Sequence, residues 1–232
     1  KYGDGFDDFI KSKVVPVNGD VGNEYLGIDE KEAKKIMRDT DIIINGAGNV
    51  TFNPPLESAL RTNINGSNNI IKMARMMKKP RLVHVSTCFV CGESEGLVEE
   101  DEAILGYYPR RKGPHDKAFR AQDEAAYMRA RIREIRAAAP SPNDKETKQK
   151  LTDLGVQRAK QWGWVNTYTY TKSLGEQLIA MEPGLRYTIV RPAIVEAALD
   201  YPFPGWVEGG RTAAPLVMMA MQGLRHWPVR ED

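Results

Sequence analysis

Four short runs constrain the fold of this chain more than any other feature: "VVPV" (14–17), "DIIIN" (41–45), "RLVHVS" (81–86) and "RYTIVRP" (186–192). Each is β-branched and apolar at neighbouring positions. Such strands suit a parallel sheet covered on both sides, because neither face tolerates water. Helical patterns separate the runs. One spans 29–38, with Asp29 and Glu32 at capping-box spacing. A second starts near Pro55, a residue suited to a first helical turn, and reaches Met77. A third covers 169–182 and stops before Pro183-Gly184. The alternation predicts an α/β fold built on a doubly wound, mostly parallel sheet.

Residues 105–163 interrupt that rhythm. They hold no strand candidate, and "DKAFRAQDEAAYMRARIREIRAAA" (116–139) and "KETKQKLTDLGVQRAKQWG" (145–163) are helix formers on either side of "PSPN". The prediction is an inserted helical hairpin lying over the substrate side of the sheet. Its many basic residues read first as a solvated helix face and second as a basic lid over a phosphorylated substrate.

Bulk composition removes several classes of function. Basic and acidic residues number 33 and 31, a near-balance that argues against nucleic-acid or anionic-membrane binding driven by net charge. No apolar run approaches the roughly 20 residues of a spanning helix. The chain ends read as cut, so a piece of a longer protein is expected.

The reactive chemistry is concentrated in "NTYTYTKSLGE" (166–176). Tyr168 and Lys172 are four apart, hence one turn apart on one helix face, while Tyr170 points elsewhere. An ammonium near a phenol favours the phenolate and lowers its pKa from about 10. A tyrosine tuned in this way exchanges a proton with a carbonyl oxygen during hydride transfer. In "VHVSTCFVCG" (83–92) a strand ends in Ser86 and Thr87, at the sheet edge where open α/β folds bind ligands. "NGAGN" (45–49) offers small residues for close backbone approach at a second strand end, and "GD" (19–20) places Asp20 at a third. Cys88 and Cys91 read as small core residues rather than a redox or metal pair, since zinc needs about four ligands. His84 reads as a satisfied core histidine, and the methionines at 73, 76, 77, 218, 219 and 221 as core filler.

With those segments in hand, the chain resembles the extended short-chain dehydrogenase/reductase superfamily, with its Rossmann-like sheet. Within it, the likeness is to fatty acyl-CoA reductases with a male-sterility-type NAD-binding domain. The matching stretches are "GDVGNEYLGI" (19–28), "NGAGNVTF" (45–52), "RTNINGSNNI" (61–70), "VSTCFVCG" (85–92), "NTYTYTKSLGEQL" (166–178), "VRPAIVEAA" (190–198) and "YPFPGWVEG" (201–209). The resemblance implies a catalytic set of Thr87 (Ser86 as the alternative), Tyr168 and Lys172, with Lys172 also holding the nicotinamide ribose. It implies that Asp20 and Val21 face adenine, and that Ala47 and Gly48 line the sugar-phosphate path. Asn63 supports the active-site helix and the cofactor, and the backbone at Pro192, Ala193 and Ile194 meets the carboxamide. No metal is implied.

The expected activity is hydride transfer from NADPH to a long-chain acyl-CoA, giving a fatty aldehyde or primary alcohol. A thioester reductase acting on carrier-bound acyl chains, or a non-catalytic Rossmann-type module, are the alternatives. Residues 1–232 are expected to form part of an NAD(P)-binding reductase domain whose first strand and glycine-rich turn lie ahead of Lys1. The expected setting is cytoplasmic, with scope for membrane association.

Overall fold

A computed structural model describes residues 5–113, 115–141, 143–207 and 214–226. Glu208 and Gly209 of the tryptophan-containing motif, the first four residues and the last six lie outside the described residues. The chain divides into two compact units, Lys1–Arg191 and Pro192–Asp232.

The first unit is built on three parallel strands in the order β1 (Ile43–Asn45), β2 (Arg81–Val85), β3 (Arg186–Val190). Ile43 pairs with Leu82, and Leu82 in turn with Tyr187. Three of the four expected strands are therefore present and parallel. Residues 14–17 are not a strand: they carry no regular structure, and Val15 is 84% exposed. Strand propensity is realised through pairing and cross-strand packing, and no strand among the described residues lies beside this segment.

Cover of the sheet differs between its faces among the described residues. Leu82 and His84 are buried on one face, whereas Ile44 on the other is 72% exposed and Val190 is exposed as well. Among the described residues the helices cover one face only.

After an exposed first helix, α1 (Phe6–Lys13), that cover starts with α2 (Glu30–Arg38), whose Asp29 cap accepts from the Lys31 and Glu32 amides at 3.0 and 3.2 Å. A continuous helical rod follows, formed by α3 (Leu56–Ala59), a π-helical turn (Leu60–Asn65) and α4 (Gly66–Arg75). The catalytic-helix candidate is α7 (Thr167–Ala180), capped by Asn166, whose Oδ1 accepts from the Thr169 amide at 2.9 Å. It approaches the rod closely because residue 175 is glycine: a Cβ there would fall 2.8 Å from the Asn63 carbonyl oxygen. Ile70, Leu174, Leu178 and Leu82 join one core cluster across these elements. Met73 and Met77 fill a second cluster against Ala33 and Met37, as expected of filler.

The helices α5 (Ala121–Ala137) and α6 (Lys145–Trp162) form the hairpin. Its last turn closes at Gly163, held at φ 101°, a left-handed geometry that glycine adopts without penalty. The hairpin packs on α3 and α7, as an outer layer over the helices. Expected over the substrate side, it has the helix layer as its main support.

In the second unit, Ala198 donates to the Trp206 carbonyl at 2.8 Å and α8 (Ala214–Met221) follows. Met218, Met219 and Met221 are exposed on α8, so within this unit they are not core filler.

Candidate functional site

The site begins where β2 ends. Thr87 caps a single 3-10 turn (Cys88–Cys91), its Oγ1 accepting from the Phe89 amide at 3.3 Å. One buried hydroxyl is thereby fixed at the strand terminus. Tyr168 enters from the first turn of α7, its amide donating to the Phe52 carbonyl at 2.9 Å and its ring 6.5 Å from that of Phe52. The Thr87 hydroxyl lies near enough to Tyr168 to pull its pKa down. Ser86 points elsewhere: its hydroxyl is buried with no partner among the described residues, while its amide donates to the Val190 carbonyl at 2.8 Å. Of the two alternatives, Thr87 is the one that meets Tyr168.

Burial raises the Tyr168 pKa above 10; the Thr87 hydroxyl opposes that and the nearby Cys88 adds to it. This corrects the expectation that Lys172 draws the phenol towards neutrality. The Lys172 ammonium instead donates to the carbonyl of Val85, the last residue of β2, at 2.7 Å. Lys172 is itself buried, which lowers its pKa to about 8 against an upward pull from Glu176.

Around this pair stands a polar cradle. Asn63, inside the π-helical turn, accepts from the Asn49 amide at 2.9 Å and donates to Thr171 Oγ1 at 2.9 Å. It therefore links the "NGAGN" loop to α7. The Ala47 amide donates to Asn45 Oδ1 at 3.2 Å, and the Asn45 amide nitrogen lies 3.0 Å from His84 Nδ1. His84 is only half satisfied, since its buried Nε2 has no partner among the described residues. Burial, then Lys172, lowers its pKa to about 3, so the ring is neutral.

A nicotinamide cofactor is implied by the resemblance, and Gly48 tests the fit. A Cβ at that position would lie 3.5 Å from Asn63 Oδ1 and 3.8 Å from Lys172 Nζ. The glycine leaves that space open between an amide and an ammonium, both suited to sugar hydroxyls. The residues fit the group.

Asp20 and Val21 form a second cluster. The Asp20 carboxylate accepts from the Gly22 amide at 2.9 Å and pairs with Arg61 at 2.5 Å, and these two contacts, the arginine first, lower its pKa. Val21 packs against Gly66, and its carbonyl accepts from Asn69 at 2.9 Å. The loop closes through the Asp20 amide and the Leu26 carbonyl at 2.7 Å, with Tyr25 and Leu26 at φ 50° and 58°. Two non-glycine residues in the left-handed region are an observed strain of the sort that concentrates at ligand sites. Arg61 and Asn63, two residues apart on one turn, connect the two clusters. Pro192, Ala193 and Ile194 open the second unit, and Ile194 is exposed there.

Several residues here escaped sequence reasoning: Arg61, Asn49, and the bidentate pair of Glu176 with Arg191 at 3.1 and 2.6 Å. Glu176 had a signal, its spacing of four from Lys172 on the same helix.

The cysteines are free and half-buried rather than core, with the Cys91 thiol donating to the Cys88 carbonyl at 2.5 Å. No described helix is long and apolar enough to cross a membrane.

Comparison with known proteins gives three findings. The family model described as "Male sterility protein", an NAD-binding family, matches residues 2–231. The chain is 32% identical over 96% of its length to "Fatty acyl-CoA reductase 2, chloroplastic" of Arabidopsis thaliana, covering 36% of that protein. It is 35% identical over 90% of its length to "Alcohol-forming fatty acyl-CoA reductase" of Simmondsia chinensis, covering 42% of it. The chain thus spans well under half the length of these relatives. Among solved structures, the terminal R domain of the myxalamid PKS-NRPS biosynthetic pathway superposes with a TM-score of 0.50 at 23% identity, over 82% of this chain and 36% of that one. That likeness concerns the fold.

Proposed function

Since the chain belongs to the male sterility family of NAD-binding domains, we propose that it carries the hydride-transfer centre of a fatty acyl-CoA reductase. The single observation behind this reading is the placement of Thr87 at the end of β2 beside Tyr168, with Lys172 one turn further along α7 and bonded to the Val85 carbonyl. The similarity to relatives named as acyl-CoA reductases supports the substrate class.

Each residue then has a part. The cofactor supplies hydride, and we take it to be NADPH. Lys172 and Asn63 face the space that its sugar would fill, with Ala47 and Gly48 beneath it. We assign Asp20 and Val21 to adenine, and the backbone of Pro192, Ala193 and Ile194 to the carboxamide. Thr87 and Tyr168 donate to the thioester carbonyl oxygen, stabilising the negative charge that develops as hydride arrives. Collapse expels the thiolate, which takes up a proton from solvent, and leaves an aldehyde. In a second round, a hydride from a second cofactor molecule would convert the aldehyde to an alkoxide, Tyr168 gives it a proton, and a primary alcohol results. A phenol whose pKa stands above 10 is a full proton donor at neutral pH, which suits this direction of transfer. We read residues 1–232 as part of an NAD(P)-binding reductase domain. A long-chain substrate and a cytoplasmic setting belong to the same proposal, although one relative bears a chloroplastic name.

The test uses the full-length protein, NADPH oxidation with a long-chain acyl-CoA, and a thermal melt of each variant. Tyr168→Phe should melt like wild type and lose about 10²–10⁴-fold in rate, and Thr87→Ala about 10²-fold. A Tyr168→Phe protein keeping more than about a tenth of wild-type rate would defeat the proposal, since loss of a general acid exceeds that. Turnover of acyl-carrier-protein thioesters in place of acyl-CoA would move the assignment to the carrier-bound class.

A further inference from the structure

Glu176 is 1% exposed, yet it is ionisable and sits on the helix that bears the reacting residues. Arg191, the residue after β3, grips both carboxylate oxygens, Nε to Oε1 at 3.1 Å and Nη2 to Oε2 at 2.6 Å. Buried ion pairs are a poor source of stability, because apolar residues of the same volume do as well or better. Stability alone therefore gives little reason to bury a carboxylate here. Its position gives a better one: Lys172 and Glu176 are four apart on α7, which brings their Cβ atoms to about 5–6 Å.

We propose that Glu176, clamped by Arg191, is a positioning residue whose fixed negative charge keeps buried Lys172 an ammonium and holds its head towards the Val85 carbonyl and the site. This rests on reading Lys172 as the working partner of Tyr168.

The other groups around Lys172 do not supply that charge. His84 on β2 is neutral, with its pKa near 3. Cys91 on the 3-10 turn is held as a thiol by burial. Tyr168 is a phenol, and Asn63 and the Val85 carbonyl are uncharged dipoles. Glu176 is the charged group that acts on Lys172, and it pulls upward against burial. Arg191 anchors the carboxylate from the far strand, so rotation of Glu176 away from Lys172 costs two hydrogen bonds.

The sign of the effect follows. Lys172 is needed as a cation, so activity falls as pH rises through its pKa, about 8. Without the carboxylate the ammonium loses its stabilising neighbour, and the fall moves to lower pH.

The experiment titrates ¹⁵N-labelled lysine side chains in the full-length protein by NMR, with the Lys172 signal assigned by Lys172→Arg. Glu176→Gln keeps the shape and removes the charge; Lys172 should titrate at least about one pH unit lower. Glu176→Asp keeps the charge one methylene further back, and should fall between wild type and Gln. The second variant also serves if the first does not fold. In activity, the alkaline limb of kcat/KM should move by the same amount, and Glu176→Gln should recover towards wild type well below that limb. A purely structural role would lower activity equally at every pH. An unchanged Lys172 titration in the variants overturns the inference. A shifted titration with an unmoved activity profile upholds it and instead removes Lys172 from the proposed chemistry.

Discussion

At the scale of single residues, the end of β2 gathers groups whose protonation is set by burial. Tyr168 is held as a phenol, Lys172 is brought near pH 8, and His84 is kept neutral down to about pH 3. The last of these has a consequence for stability that can be measured apart from any activity. The unfolded histidine takes up a proton near pH 6.5 and the folded one does not until about 3, so stability is complete above pH 6.5 and drains away as the pH falls. One proton costs about 1.4 kcal/mol per pH unit, which makes the loss about 2 kcal/mol between pH 6.5 and 5. His84→Gln does not titrate there. Urea unfolding at pH 7 and pH 5 should show wild type losing about 2 kcal/mol more than the variant over that interval, and parallel pH dependences would contradict the buried neutral ring. Sequence reasoning identified the isolated histidine as a core residue. It could not see that Nδ1 meets Asn45, 39 residues away on another strand, while Nε2 has no partner among the described residues.

At the scale of elements, Tyr170 explains how the hairpin and α7 hold together. Two residues from Tyr168, it points away from the site, as the helical spacing predicts, and its hydroxyl donates to Glu124 of α5. Arg158 of α6 grips the same carboxylate at 2.7 and 2.5 Å and lies over the Tyr127 ring at 4.4 Å. Burial, with the Glu124 carboxylate beside it, holds Tyr170 well above 10. Three helices thus meet at one buried carboxylate. Arg129 and Arg136 turn inward too, to Asn65 and Glu57. Part of what reads in sequence as a solvated basic face is therefore the adhesive of a helical layer, and the partners sit 34 to 79 residues away, where no local pattern displays them. Glu124→Ala removes the carboxylate partner of the largely buried Arg158 and of the buried Tyr170 hydroxyl, and should cost about 3–5 kcal/mol in denaturant unfolding. Glu146→Ala, which breaks the exposed pair with Lys150, should leave the same curve in place. Equal effects from the two variants would show that the junction carries no special weight.

For the whole molecule, the strand–helix alternation was legible because each run declares itself within a few residues: the runs at 41–45, 81–86 and 186–192 each contain one strand of the parallel sheet, and the turn after β2 is capped by Thr87. Coverage of the sheet was not legible, since an apolar face in a sequence says what ought to be buried and not what buries it. Ile44 pairs in register with Val83, and Val85 with Val190, so these four side chains form a continuous apolar row on the face that no described helix covers. Beside them β1 is an edge strand, presenting unpaired backbone groups along Ile43–Asn45. An open apolar face next to an open edge is the arrangement through which sheets add to one another. The 232-residue chain prepared alone should therefore self-associate with rising concentration. Ile44→Lys places a charge at the most exposed point of the row, on the edge strand, where lysine is a natural guard against pairing. It removes no buried contact, so the melting temperature should stay within the small range typical of surface changes, about 0.5 kcal/mol. Sedimentation velocity across a concentration series decides the matter. The charged variant should remain at the monomer's sedimentation coefficient at concentrations where the unaltered chain grows. If both stay monomeric, the exposed row does not drive association; if both grow alike, association runs through another surface.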